Sequence, residues 1–214
     1  MSESKRSKQI FRQWIITNLI GFCASIPFGF GMNWLLNRTF IQLQSNKILY
    51  IILIYGFVGI IIGIAQWVIL KQYLPKISTM WILSNALALP LGVYTFLVVG
   101  KNTSNILFPY FGDVIAVGIL AAIASGLGGA IAGLTQWFLL KKWIVHRHFA
   151  IIWILSSLIS CVLAAFIGIT ISVLLHFSYF PWNWIELAIA SAILYSVITG
   201  RVLYWFLLHR ENPA

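Results

Sequence analysis

Six apolar runs, each about 20 residues or longer, constrain this chain more than any other feature. They lie near Trp14–Leu36, Ile48–Leu70, Trp81–Val99, Asp113–Leu140, Trp153–Leu175 and Ile185–Leu208. About 20 apolar residues in a helix cross the roughly 30 Å hydrocarbon core of a bilayer. Lipid offers no water to satisfy backbone groups, so runs of this kind must close their hydrogen bonds internally, as helices do. Charged residues are 8% of the chain, against about a quarter in soluble domains, and mean hydropathy is +0.94. The expected fold is therefore an all-α integral membrane protein with six transmembrane helices, short loops and no extramembrane domain.

The formal charge of +10 follows the same plan. Lys5, Arg6, Lys8, Arg12, Lys71, Lys76, Lys141, Lys142, Arg147 and Arg210 fall on the side of the N-terminus, and Arg38, Lys47 and Lys101 on the other. Short basic loops are retained in the cytoplasm, which predicts both termini inside. Anionic lipid headgroups, not nucleic acid, are the natural counter-charge. The first run is too long for a signal peptide, and Phe22 before Cys23 is too bulky for a lipoprotein cleavage site, so this helix is expected to be retained. Residues 1–13 then form a basic cytoplasmic segment, 14–208 the transmembrane domain and 210–214 a cytoplasmic tail. The expected location is the cell (inner) membrane, with an internal membrane such as the thylakoid as the alternative.

Internal repetition organises the domain. Trp14-Ile15-Ile16-Thr17-Asn18, Trp81-Ile82-Leu83-Ser84-Asn85 and Trp153-Ile154-Leu155-Ser156-Ser157 open three segments alike. The following helices also agree: Gly59-x3-Gly63-x2-Gln66-Trp67-x2-Leu70-Lys71 matches Gly129-x3-Gly133-x2-Gln136-Trp137-x2-Leu140-Lys141, with a fainter Tyr204-Trp205-x2-Leu208-His209. These boundaries predict repeats at 14–71, 81–141 and 153–209, each a helical hairpin. Two-helix units enter the membrane in the same direction, so the expected arrangement is three tandem parallel repeats in a pseudo-threefold bundle.

Small residues at every fourth position mark one face of a helix, where backbones can approach closely. Thr17, Gly21, Ser25 and Gly29 form one such stripe, Ser84, Ala88 and Gly92 another, and Ser156, Ser160, Ala164, Gly168 and Ser172 a third. Gly59 and Gly63, then Ser125, Gly129 and Gly133, mark the even helices. All are read as packing seams. Intramembrane polar residues must be paired or functional. Asn18, Asn85 and Ser157 recur on odd helices and Gln66, Gln136 and Tyr204 on even ones, at depths that suit amide-to-amide hydrogen bonds or a polar ring around a solute. Arg201, about two turns before the end of the last helix, is the one cation within a span, a candidate for snorkelling or for gripping an anion or lipid headgroup.

Trp14, Trp67, Trp81, Trp137, Trp153 and Trp205 near one face, and Trp182 and Trp184 near the other, read as aromatic belts. The outer segments 108–113 and 177–182 read as interfacial loops, with Asp113 and Glu186 capping the helices that follow. Catalysis finds no residues: of four acidic side chains Glu3 and Glu211 are terminal, so no carboxylate pair exists for acid–base work. His146, His148, His176 and His209 lack a third ligand for a metal. Cys23 and Cys161 are singletons read as reduced core residues. No Gly-x-Ser-x-Gly elbow or phosphate loop is present. No enzyme activity, metal or cofactor is expected.

The repeated Gly-x3-Gly-x2-Gln-Trp-x2-Leu element, the Trp openings and the terminal Tyr195-x3-Thr199-Gly200-x2-Leu203 resemble a group of bacterial polytopic membrane proteins, frequent in cyanobacteria, over residues 14–208. The resemblance implies source and architecture and carries no activity. Mitochondrial solute carriers also have three two-helix repeats, but Pro27, Pro75 and Pro90 lack the charged gate motif of that family. Two function classes follow. The first is a non-enzymatic scaffold or assembly component that binds anionic lipid, another membrane protein or a second copy of itself. The alternative is a small solute transporter or channel with a polar site lined by Asn85, Gln136 or Arg201.

Overall fold

The computed structural model describes residues 3–39, 47–143, 148–174 and 182–209, and among these every regular element is a helix, residues 74–79 forming a turn. The elements are α1 (Glu3–Thr39), α2 (Lys47–Tyr73), α3 (Met80–Leu140) followed by a 3-10 turn (Lys141–Trp143), α4 (His148–Leu174) and α5 (Trp182–His209). Among the described residues, five stretches are long and apolar enough to cross a membrane: Lys8–Leu36, Ile48–Tyr73, Met80–Thr103, Ile115–Trp143 and His148–Gly168. A shorter apolar stretch, Ala192–Leu207, lies in α5. These lengths fit a multi-pass membrane protein. Its surface is correspondingly apolar, with Ile20, Leu83, Leu87, Leu134, Ile151 and Leu155 exposed, while Asn18, Gln66, Gln136, Ser157 and Thr199 are fully buried. This inversion of the soluble pattern follows from the cost of a polar group in hydrocarbon.

Sequence chemistry sets the α2 to α3 connection. Pro75 cannot continue a helix and biases Leu74 away from helical backbone, so α2 stops at Tyr73. Leu74 and Ile77 are buried within the turn, and Ser78 Oγ accepts the Met80 N–H at 3.2 Å as α3 begins.

The α3 helix departs from expectation. Residues 108–113, expected as an interfacial loop, are helical. A straight 61-residue helix would be about 90 Å long, yet Gly92 lies against Ala124 and Gly128, and Gly100 against Leu120. The chain therefore reverses between two packed arms, Met80–Thr103 and Ile115–Trp143, in the segment that holds Pro109, which has no N–H for the helical ladder. Tyr110 beside it is exposed.

Packing runs in sequence order, α1 on α2, α2 on α3, α3 on α4 and α4 on α5, and α5 returns to α1. Glycines make the tightest seams. A methyl at Gly59 would overlap the Asn85 carbonyl, and one at Gly63 would lie 2.8 Å from Ile82 Cα. The second arm of α3 meets α4 in the same manner, Gly129 against the Ser157 carbonyl and Gly133 against Ile154 Cα. Ser156 and Ser160 are buried and each hydroxyl donates to a carbonyl of its own helix, those of Trp153 and Ser157. Gly168 is buried farther along α4. Residues 144–147, 175–181 and 210–214 lie outside the described residues, and with them His146, Arg147, His176 and Arg210. The side chains of Lys5, Arg6, Lys47, Asp113, Ser172, Trp182, Trp184, Glu186 and His209 do too.

Candidate functional site: a buried tryptophan and amide core

The three tryptophans that open the repeated segments are not belt residues. Trp14, Trp81 and Trp153 have no exposed surface and join one core with Ile10, Leu70, Leu74, Leu140, Phe149, Leu203 and Phe206. The Trp81 and Trp153 rings lie 6.2 Å apart, Phe149 stacks on Trp153 at 5.9 Å, and Phe149 meets Phe206 at 4.8 Å. The belt reading fails because Trp-x3-Asn is one helical turn: a tryptophan four residues before an inward amide shares its inward face. Trp67 and Trp137 are half-buried against this core, and Trp205 is exposed.

Each indole brings a polar N–H into the interior, where it needs an acceptor. Trp14 Nε1 donates to Thr199 Oγ1 at 3.1 Å, joining α1 to α5. Trp81 Nε1 donates to Gln66 Oε1 at 3.0 Å, and Asn85 Nδ2 donates to the same oxygen at 3.2 Å. Gln66 Nε2 in turn donates to Asn18 Oδ1 at 2.8 Å, and Asn18 Nδ2 to the Trp14 carbonyl at 2.8 Å. Asn18, Gln66 and Asn85 thus form one chain of side-chain hydrogen bonds across α1, α2 and α3.

Gln136 sits outside that chain. The Tyr195 hydroxyl donates to its Oε1 at 3.4 Å and also lies within reach of the Ser157 and Gln66 side chains. Gln136 Nε2, Trp153 Nε1 and Ser157 Oγ, all in fully buried residues, have no hydrogen-bond partner.

Three expectations are corrected here. Tyr204 does not take the place of Gln66 and Gln136: it is half-buried at the rim, edge-on to Phe11, and Thr199 holds the hydrogen-bonded position. The sequence does carry the signal, since Thr199 precedes buried Leu203 by four residues, as Gln66 precedes Leu70 and Gln136 precedes Leu140. Arg201 does not line the interior with Asn85 and Gln136. It is exposed, with its guanidinium 5.2 Å over the Tyr204 ring, the geometry of a cation–π contact on the bundle surface. Cys23 is exposed rather than in the core, while Cys161 is partly buried, and both are free thiols.

The exposed cations Lys8, Arg12, Lys71, Lys76, Lys141 and Lys142 stand at the end of the bundle that the tryptophan core fills. Lys71 rests over the Trp67 ring at 4.5 Å and Lys141 over Phe138 at 4.8 Å. Toward the other end, Pro27, Phe28, Gly31, Met32, Leu35 and Phe57 line an open apolar groove of about 300 Å³ that none of the buried amides enters. Among the described residues, no three His, Cys, Asp or Glu side chains come together as metal ligands. No family model, curated protein or solved structure matches the chain.

Proposed function

We propose that this protein is a non-enzymatic membrane scaffold or assembly component, whose basic end binds anionic lipid or the acidic surface of another membrane protein. The observation that carries this reading is the packed core of Trp14, Trp81, Trp153 and Phe149 across that end of the bundle. A solute path would have to pass through it. The intramembrane amides Asn18, Gln66 and Asn85 are occupied with one another and with indoles, so they specify packing rather than present a polar wall. The six exposed cations and Arg201 face outward, where lipid phosphates lie.

The proposal includes three parallel hairpin repeats around a pseudo-threefold axis, with both termini cytoplasmic in a bacterial membrane. Supporting it are the alike seams at Gly59/Asn85 and Gly129/Ser157 and the closure of α5 on α1 through Trp14 and Thr199. The resemblance to cyanobacterial membrane proteins belongs to the same reading. Transport of a small polar solute is the second reading, favoured by the unpaired polar atoms around Gln136.

Thiol accessibility separates the two. Ser160→Cys and Ser196→Cys are near-isosteric replacements of fully buried residues, made in a Cys23→Ser/Cys161→Ser background. Under the scaffold reading a membrane-impermeant thiol reagent leaves both unlabelled from either side. Labelling from either side would replace the scaffold with the transporter.

A further inference from the structure

The seams at Gly59/Asn85 and Gly129/Ser157 are built alike and differ in one side chain. Gly59 and Gly63 abut the Asn85 carbonyl and Ile82 Cα; Gly129 and Gly133 abut the Ser157 carbonyl and Ile154 Cα. The same register faces Gln66 toward Trp81 and Asn85, and Gln136 takes the corresponding position, three residues after Gly133, in the seam with Ile154 and Ser157. In the first set the Asn85 amide and the Trp81 indole both donate to Gln66, and none of its side-chain atoms is among the buried ones left without a partner. In the second set serine stands where asparagine does, and its side chain has two fewer heavy atoms. Ser157 Oγ, Trp153 Nε1 and Gln136 Nε2 are left unpaired, and Trp153 and Gln136 hold the sequence positions of Trp81 and Gln66, which meet the Asn85 amide in the first set. Tyr195 fills part of the gap, donating to Gln136 Oε1 and lying within reach of the Ser157 side chain, but it leaves the Gln136 and Trp153 N–H donors without an acceptor.

We propose that Gln136, Trp153 and Ser157 form a built site for one small neutral hydrogen-bonding molecule, a water, held where the amide of Asn85 lies in the neighbouring set. The donor inventory fits this ligand. The indole and the amide nitrogen supply N–H donors and need an acceptor, and the serine hydroxyl can accept from the ligand in return. Water offers two lone pairs and two hydrogens and is the usual partner of polar groups orphaned in an interior. An ion does not fit: a cation would meet N–H donors, and an anion would be buried without a counter-charge, because Arg201 is exposed on the bundle surface.

The test uses the whole protein in lipid nanodiscs with ¹⁵N-labelled tryptophan, the Trp153 indole resonance being identified by its loss in Trp153→Phe. The expected result is a magnetisation-transfer cross-peak between water and the Trp153 indole proton and none at the Trp81 indole, which Gln66 occupies. In Ser157→Asn the Trp153 cross-peak disappears and its resonance moves toward that of Trp81. No water cross-peak at Trp153 in the wild-type protein overturns the site, and so does one that persists unchanged in Ser157→Asn. The wild-type measurement stands even where the variant does not fold. The inference is independent of the scaffold reading, since one enclosed water is neither a path nor a docking surface.

Discussion

At the scale of single residues, the interior is decided by what each buried indole N–H can find. Trp14 finds Thr199, a residue that the repeat pattern alone misaligns, since the sequence match pairs Gln66 with Tyr204. The two alignments make opposite predictions. Thr199→Val keeps the shape of the side chain but leaves the Trp14 N–H buried and unpaired, which is expected to cost about 1–3 kcal/mol. Tyr204→Phe removes a hydroxyl at the rim and is expected to change stability by less than about 0.5 kcal/mol. Thermal unfolding of both variants in the same nanodiscs checks this; the reverse ranking would restore the Tyr204 alignment. The inward amides Asn18, Gln66 and Asn85 were legible because a polar group in hydrocarbon has few places to go. The tryptophans beside them were not, because an indole near a helix end satisfies the belt and the core equally well, and only the one-turn spacing to an amide separates the two.

Element by element, five of the six apolar runs were legible with boundaries displaced by up to about two turns, because their length is dictated by bilayer thickness, while the last is a shorter apolar stretch among the described residues, and the other departures lie where no such dictation applies. The reversal of α3 is the clearest case. Residues 108–113 carry aromatic and glycine residues that read as a loop, yet helix persists up to and beyond Pro109, and the turn is evident only from Gly92 resting on Gly128. The glycine seams separate positions by need. At Gly129 a methyl would sit 2.6 Å from the Ser157 carbonyl oxygen, and at Gly31 nothing lies within 4 Å. Gly129→Ala is therefore expected to destabilise the α3/α4 seam by roughly 1–3 kcal/mol, the usual range for overpacking. Gly31→Ala is expected to be neutral or stabilising by up to about 1 kcal/mol through helix propensity. A denaturation series on the two variants measures the contrast directly, and equal effects would mean that the seam can open at no cost.

For the molecule as a whole, two asymmetries coincide: the tryptophan core and the exposed cations occupy the same end. Function was the least legible property, since neither asymmetry names a ligand. The coincidence still has a physical consequence. A packed core at the basic end holds Ile10, Leu74 and Leu140 together, so Lys8, Lys71, Lys76 and Lys141 are displayed as one charged rim rather than on independent loops. A rim of one sign binds anionic lipid only on the leaflet where such lipid faces the cytoplasm, worth about 1 kcal/mol per basic residue near that surface. The proposed orientation is thus a condition of the proposed function. Lys76 is exposed in the α2 to α3 turn at the basic end, and Tyr110 is exposed at the reversal of α3. In the background without Cys23 and Cys161, Tyr110→Cys is expected to react with an impermeant thiol reagent in intact cells and Lys76→Cys only after the membrane is breached. The opposite pattern would put the charged rim outside, away from the cytoplasmic leaflet's negative potential, and the lipid-binding scaffold would lose its counter-charge.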